Sequence, residues 1–290
     1  VWHIGSQSGR SDTANGIVNV TGHIKLGKEH GQLVLTKGGS VWTGTTVDST
    51  EDGSGSLDLA MEKDAVWNHV DKDGDTGVKV WLEGTRYRGS SDDQITILQN
   101  SKKDIHFEEI DSVDGTLRLV FAHETNSPTS IKGGNVTIDK VSTRYVGGTA
   151  KVLAVTDSDG IDMSDDTLVG RVLQSLAQKI TYTNPAEAKL VGKVGIADGL
   201  TAKSAMLTEG FIRFDPDTGI GSYTPQMMDT FTRSMTGDEA YDQNYTDQGV
   251  RQSQFLYSLG KDTTIKADKA MDWKVNSNAN VVQIVGQGHT

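Results

Sequence analysis

The chain has 290 residues, with 28 Lys plus Arg against 39 Asp plus Glu, a formal net charge of −11 and a pI near 5.0. That acidity excludes general binding to nucleic acid or to anionic membrane surfaces. The absence of Cys excludes disulfides, thiolate metal centres and Cys nucleophiles, and no apolar run of about 18 residues offers a membrane span.

Residues 1–155 are a series of short runs in which apolar and polar residues alternate, the signature of half-buried strands. Among them are Val18-Asn19-Val20, Leu33-Val34-Leu35, Val41-Trp42, Leu57-Asp58-Leu59, Val66-Trp67 and Val78-Lys79-Val80-Trp81-Leu82. Further along come Ile95-Thr96-Ile97, Leu117-Arg118-Leu119 and Val136-Thr137-Ile138. Gly, Asp, Asn and Ser separate the runs. The 33 Gly against 4 Pro, and 29 Asp against 10 Glu, supply turns between strands.

Two units resemble each other. Leu33-Val34-Leu35 leads to Val41-Trp42, and Leu57-Asp58-Leu59 leads to Val66-Trp67; the L-x-L pairs are 24 residues apart and the Trp residues 25. A period in the twenties suits one coil of a β-solenoid. Trp81 does not keep it.

Residues 156–184 change period. Leu168, Val169, Val172, Leu173, Leu176, Ala177 and Ile180 lie along one helical face. Ser164 or Asp165 supplies an N-cap, and Pro185 closes the segment. The spacing predicts an amphipathic helix over 166–180. A strand follows at 190–196. Phe211-Ile212-Arg213-Phe214, the turn Asp215-Pro216-Asp217-Thr218-Gly219 and Ile220 to Tyr223 form a hairpin. Residues 224–250 are polar and read as a loop or second insertion, and 251–290 resume the short-strand pattern.

One stretch resembles a known family. Asp165-Asp166-Thr167-Leu168-Val169-Gly170-Arg171-Val172-Leu173-Gln174-Ser175-Leu176-Ala177, then Leu190-Val191-Gly192-Lys193-Val194-Gly195-Ile196-Ala197-Asp198-Gly199-Leu200-Thr201, then Gly219-Ile220-Gly221-Ser222-Tyr223 resemble a segment of the passenger regions of large bacterial autotransporters, type V secreted surface proteins. The match covers about a quarter of the chain, and the L-x-L…V-W units are similar to passenger rungs. The resemblance implies a right-handed parallel β-helix with a helix-bearing insertion, held outside the bacterial cell by a C-terminal barrel that this sequence lacks. It brings no catalytic residues. The start at Val1 and the absence of Cys agree with a segment of such an exported protein.

Little in the sequence points to catalysis. No G-D-S-G or G-T-S-x-A motif occurs, and the seven His have no metal-binding spacing, which suits solvent-facing positions. Asp71-Lys72-Asp73-Gly74-Asp75, Asp157-Ser158-Asp159-Gly160-Ile161-Asp162 and Asp215-Pro216-Asp217 resemble calcium loops in composition but lack EF-hand spacing, and read as Asp-rich turns. Asp92, Asp93, Glu108, Glu109, Arg86 and Arg88 are the groups a polysaccharide lyase or glycosidase would draw on. The binding candidates are Trp81, Arg86, Tyr87 and Arg88, since aromatics with Arg suit sugar stacking and acidic glycan groups. Trp81 alternates with Val80 and reads equally as a scaffold residue; Trp42 and Trp67 read as scaffold.

The expected fold is therefore all-β. It is a right-handed parallel β-helix (β-solenoid) with coils over 1–155, a helix-plus-hairpin insertion over 156–223, a polar loop over 224–250 and further coils over 251–290. The resemblance and this shape together imply an extracellular adhesin on the bacterial surface. Its partners would be host glycan, matrix protein or a copy on a neighbouring cell. No cofactor, metal, nucleic acid, membrane insertion or enzymatic activity is expected. A carbohydrate-active enzyme and a purely structural stalk are the alternatives.

Overall fold

The computed structural model describes residues 3–4, 17–27, 30–35, 39–48, 55–61, 65–71, 78–83, 94–112, 116–143, 149–201, 204–225, 263–267 and 282–286. The Asp73 and Asp75 positions, the loop 226–250 and most of 251–290 lie outside them.

The first strands are β1 (His3–Ile4), β2 (Asn19–Thr21), β3 (Ile24–Leu26), β4 (His30–Leu35), β5 (Val41–Gly44), β6 (Thr46–Asp48), β7 (Ser56–Met61) and β8 (Val66–His69). Then come β9 (Val78–Glu83), β10 (Gln94–Gln99), β11 (Ile105–Ser112), β12 (Thr116–Val120), β13 (His123–Glu124), β14 (Ser127–Ile131), β15 (Val136–Ile138), β16 (Val141–Thr143) and β17 (Ala150–Asp157). The helix α1 (Asp166–Ala177) follows, then β18 (Ile180–Tyr182), β19 (Leu190–Ala197), β20 (Met206–Phe214), β21 (Gly221–Thr224), β22 (Thr263–Ala267) and β23 (Val282–Gly286). The described residues are mostly strand, with one α-helix among them.

Two large sheets organise most of these strands, while β3 and β6, β13 and β14, and β22 and β23 pair separately. The first runs β1-β4-β7-β9-β11-β15-β18, with β16 also pairing β11; the second runs β2-β5-β8-β10-β12-β17-β19-β20-β21. Every pairing in the first sheet is parallel, and so is every pairing in the second as far as β19. The chain passes back and forth between the sheets, so each strand pairs with one from the preceding or following pass. Parallel strands need such long crossovers, and here most of the crossover is the opposite sheet. The hairpin β13–β14 and the helix α1 lengthen the later crossovers.

The inward positions fill one core. Leu33, Leu57, Leu59, Ile105, Phe107, Val136 and Ile180 face it from the first sheet. Trp42, Trp67, Ile97, Leu119, Val152 and Val194 face it from the second. Trp42 stands opposite Trp67 in register, as the 25-residue spacing predicts. The leucines do not follow their 24-residue spacing: Leu33 pairs with Leu59, and Gly31 with Leu57. The connection from Leu59 to Trp67 is one residue shorter than that from Leu33 to Trp42.

The helix forms as the spacing predicts and ends three residues earlier, at Ala177. Asp165 caps it, its carboxylate accepting from the Thr167 and Leu168 amides, each at 3.0 Å. Its buried residues Val172, Leu173, Leu176 and Ala177 join the core, with α1 against β14, β17, β19 and β21. Residues 180–197 then rejoin both sheets as β18 and β19.

The predicted hairpin is present as β20 and β21. It runs antiparallel to β19 along the second sheet, while Ile220 bridges Thr181 beside the first. This hairpin lies along the last strand of both sheets and satisfies edge groups that would otherwise invite pairing with another chain. Gly219, at φ +71, makes the approach possible, because a Cβ there would meet the Tyr182 carbonyl oxygen at 2.2 Å. The carbonyl of Gly219 in turn accepts from the Tyr182 amide at 2.9 Å.

Candidate ligand-binding surface

Of the four residues expected to bind ligand, Trp81 lies in β9, in register with Asp58 of β7. Its neighbours Val80 and Leu82 pair with the core residues Leu57 and Leu59. Arg86, Tyr87 and Arg88 lie outside the described residues, as do Asp92 and Asp93.

The structure gathers a different polar group beside the first sheet. In β11, Ile105 and Phe107 enter the core and His106 points the other way. Its Nε2 lies 2.5 Å from Asp139 Oδ2, both side chains being a little over one-third exposed. The other Asp139 oxygen accepts from Thr183 Oγ1 at 3.1 Å, and the Asp139 carbonyl accepts from Asn184 Nδ2 at 2.5 Å. Beside it, Glu109 accepts from Ser142 Oγ and pairs with Lys140 Nζ at 3.2 Å. Residues from β11, the β15–β16 turn and the segment after β18 are thus tied laterally.

This arrangement does not form a nucleophilic relay. Such a relay places the imidazole between a carboxylate and a hydroxyl. Here Asp139 stands in the middle, holding His106 on one oxygen and Thr183 on the other. The group offers hydroxyl, imidazole, amide and carboxylate edges to polar ligands.

The histidines divide. His23 is exposed and His106 partly so, whereas His69 and His123 are buried. The expectation of solvent-facing histidines fails for these two, because each occupies an inward position with its own partners. His123 meets Thr156 Oγ1 through Nδ1 at 2.9 Å and the Asp159 carbonyl through Nε2 at 2.7 Å.

His69 belongs to a buried column linking successive passes of the chain. His23 Nδ1 accepts from the Thr45 amide at 3.1 Å, and Thr45 Oγ1 meets His69 Nε2 at 2.8 Å. His69 Nδ1 meets Gln99 Oε1 at 2.6 Å, and Gln99 Nε2 donates to the Lys103 carbonyl at 2.9 Å. A neutral imidazole with its proton on Nδ1 satisfies both neighbours. Burial pushes its pKa down to about 4, against the Gln99 hydrogen bond and the Asp71 charge, which pull it up.

An aromatic stack runs beside the column. The Trp42 and Trp67 rings lie 4.8 Å apart and 5° from parallel, and His69 sits 4.8 Å from Trp67 on a tilt. Each indole donates to a glycine carbonyl one pass earlier: Trp42 to Gly22 and Trp67 to Gly44, both at 3.0 Å. Both Trp residues are fully buried, which makes them scaffold, as expected.

The described Asp-rich segments are turns. Asp162 Oδ1 accepts from the Ser164 amide and hydroxyl, and Asp215 Oδ1 from the Asp217 and Thr218 amides and the Thr218 hydroxyl. Those hydrogen bonds hold both carboxyls below the usual aspartate range.

Comparison with protein-family models, with curated proteins and with solved structures finds no match to this chain.

Proposed function

We propose that this chain is a β-solenoid segment of an extracellular bacterial adhesin, built as a right-handed parallel β-helix, which binds host glycan or matrix protein through its lateral surface. The observation that carries the reading is the pairing pattern. Seven strands in each sheet stack in parallel while the chain alternates between the sheets. One strand per sheet per pass is how a solenoid coils. A stack of this kind presents long sides, where many weak contacts multiply into avidity.

The lateral polar group around Asp139 and Glu109 supports recognition. Both carboxylates are already tied to neighbours, whereas a glycosidase needs one free to act as acid and one as base or nucleophile. Copies on adjacent cells are a further partner on the same reading. Trp81 and Arg86 remain the proposed sugar-binding residues, with Tyr87 and Arg88 beside them.

The test is a glycan and matrix-protein array probed with the purified protein, with and without chelator. A specific hit is expected, unchanged by chelator and weakened about tenfold by Trp81→Ala or Arg86→Ala, which is about 1.4 kcal/mol of binding. Absence of binding to every glycan and matrix protein contradicts the adhesin reading and leaves the stalk.

A further inference from the structure

The outer face of the first sheet is open where its last strands stack. In β11, β15 and β18, Ile105, Phe107, Val136, Ile138, Ile180 and Tyr182 enter the core. Strand alternation therefore turns His106, Thr137 and Thr181 outward. These three stand in register on neighbouring strands, and Ile220 bridges Thr181 at the end of the row. The row carries one outward side chain about every 4.8 Å along the stack. The His106 side chain is 38% exposed and Ile220 is 45% exposed, with both threonines half-buried.

The row keeps hydrogen-bonding capacity for a ligand. Neither Thr137 Oγ1 nor Thr181 Oγ1 bonds to another of the described residues. With His106 Nε2 turned to Asp139 Oδ2 at 2.5 Å, the ring's Nδ1 is left over. The charges beside the row are already matched: Asp139 lies against His106, and Glu109 against Lys140 Nζ at 3.2 Å. The whole chain carries a net charge of −11, which repels an acidic ligand. A protein partner would need an apolar centre to bury, and of the four side chains in the row only Ile220 is apolar.

We propose that the row His106–Thr137–Thr181–Ile220 binds an uncharged stretch of extended glycan lying across the strands, with one sugar residue to each strand. A threonine hydroxyl both donates and accepts, as a sugar hydroxyl does, and Ile220 covers the C–H face of a ring. The row continues toward the strand of the proposed sugar-binding Trp81: Lys79 of β9 stands in register with His106, and Trp81 lies two residues further along β9. Each contact is weak and partly wet. Affinity therefore grows with every sugar residue engaged and levels off once the glycan spans the row. The choice of a glycan rests on the adhesin reading and narrows it to an uncharged one.

The test is calorimetry of the full chain with uncharged gluco-, manno- and galacto-oligosaccharides of increasing length, and with hyaluronan oligosaccharides as the acidic probe. One uncharged series is expected to bind, more tightly with length until the row is filled, and with no dependence on salt. Thr137→Val and Thr181→Val are each expected to weaken that binding about fivefold, the worth of one hydrogen bond. Valine keeps the branched shape that the strand already holds, so the fold is retained. Binding that neither threonine variant weakens overturns the proposal, and so does binding confined to the acidic probe; both outcomes leave the adhesin reading standing. Binding to matrix protein alone on the array does the same. Uncharged binding that is weakened by Thr181→Val and unchanged by Trp81→Ala upholds the row and removes Trp81 from the site. No binding to any glycan or matrix protein removes the row and the adhesin reading together.

Discussion

Trp67→Ala is expected to destabilise the fold by about 4 kcal/mol, at the upper end of single core truncations. Trp67 is fully buried and lies against both Trp42 and His69. Truncation removes the largest kind of side chain from a closed core, leaves a cavity between two rings, and leaves the Gly44 carbonyl with only the Val70 amide, at 3.5 Å, in place of the indole at 3.0 Å. Trp67→Phe retains an aromatic ring against Trp42 but still loses that hydrogen bond, and is expected to cost less than half as much. Urea denaturation of the three proteins measures both. A cost below about 1 kcal/mol for Trp67→Ala would mean that the aromatic stack does not support the two sheets.

The second large effect is one of pH. Buried His69 titrates near 4 in the folded chain, against about 6.5 when unfolded. Below 6.5 the unfolded state takes up a proton that the folded state refuses. The stability present above pH 6.5 is therefore lost as pH falls, by up to about 1.4 kcal/mol per unit, until the folded imidazole also protonates near 4. The full loss is about 3 kcal/mol. A protonated imidazole would have to donate from Nε2 to Thr45 Oγ1, forcing that hydroxyl to redirect its own proton. Unfolding free energies measured from pH 7 to 4 should show a steeper decline in the wild type than in His69→Asn. Parallel profiles would show that His69 is not a buried neutral group.

Much of the fold was legible because its signals are local. The helix keeps its apolar residues in one phase and has an aspartate at its cap. The hairpin carries Pro and Gly where its turn needs them. The parallel stacking of Trp42 on Trp67 follows from their spacing. The register of the leucines was not legible, since alternation fixes which face a residue takes but not an even-numbered slip along the strand. Leu33 meets Leu59 because one connection is a residue shorter than the other, and nothing in the leucines themselves encodes that.

The polar sites were harder to read. A signal for His69 was present: it shares the inward phase of Trp67, two residues before it. Alternation also puts Arg118 away from the core, which ordinarily means solvent. Arg118 is nevertheless buried, and no local pattern announces it. The meeting of His106, Asp139 and Thr183 likewise depends on stacking passes of the chain whose lengths differ. Trp81 has a place in the register of β9, in line with Asp58, and its proposed role in binding rests on its residue type and its neighbours in sequence.

The proposed role is attachment of one surface to another through many weak lateral contacts. Beads coated with the protein at increasing density, flowed over glycan-coated or matrix-coated surfaces, test this role. Little retention is expected at low density, with a steep rise once several copies engage together and a shift of that rise to higher density with Trp81→Ala or Arg86→Ala. Retention no greater than that of uncoated beads at every density would contradict it.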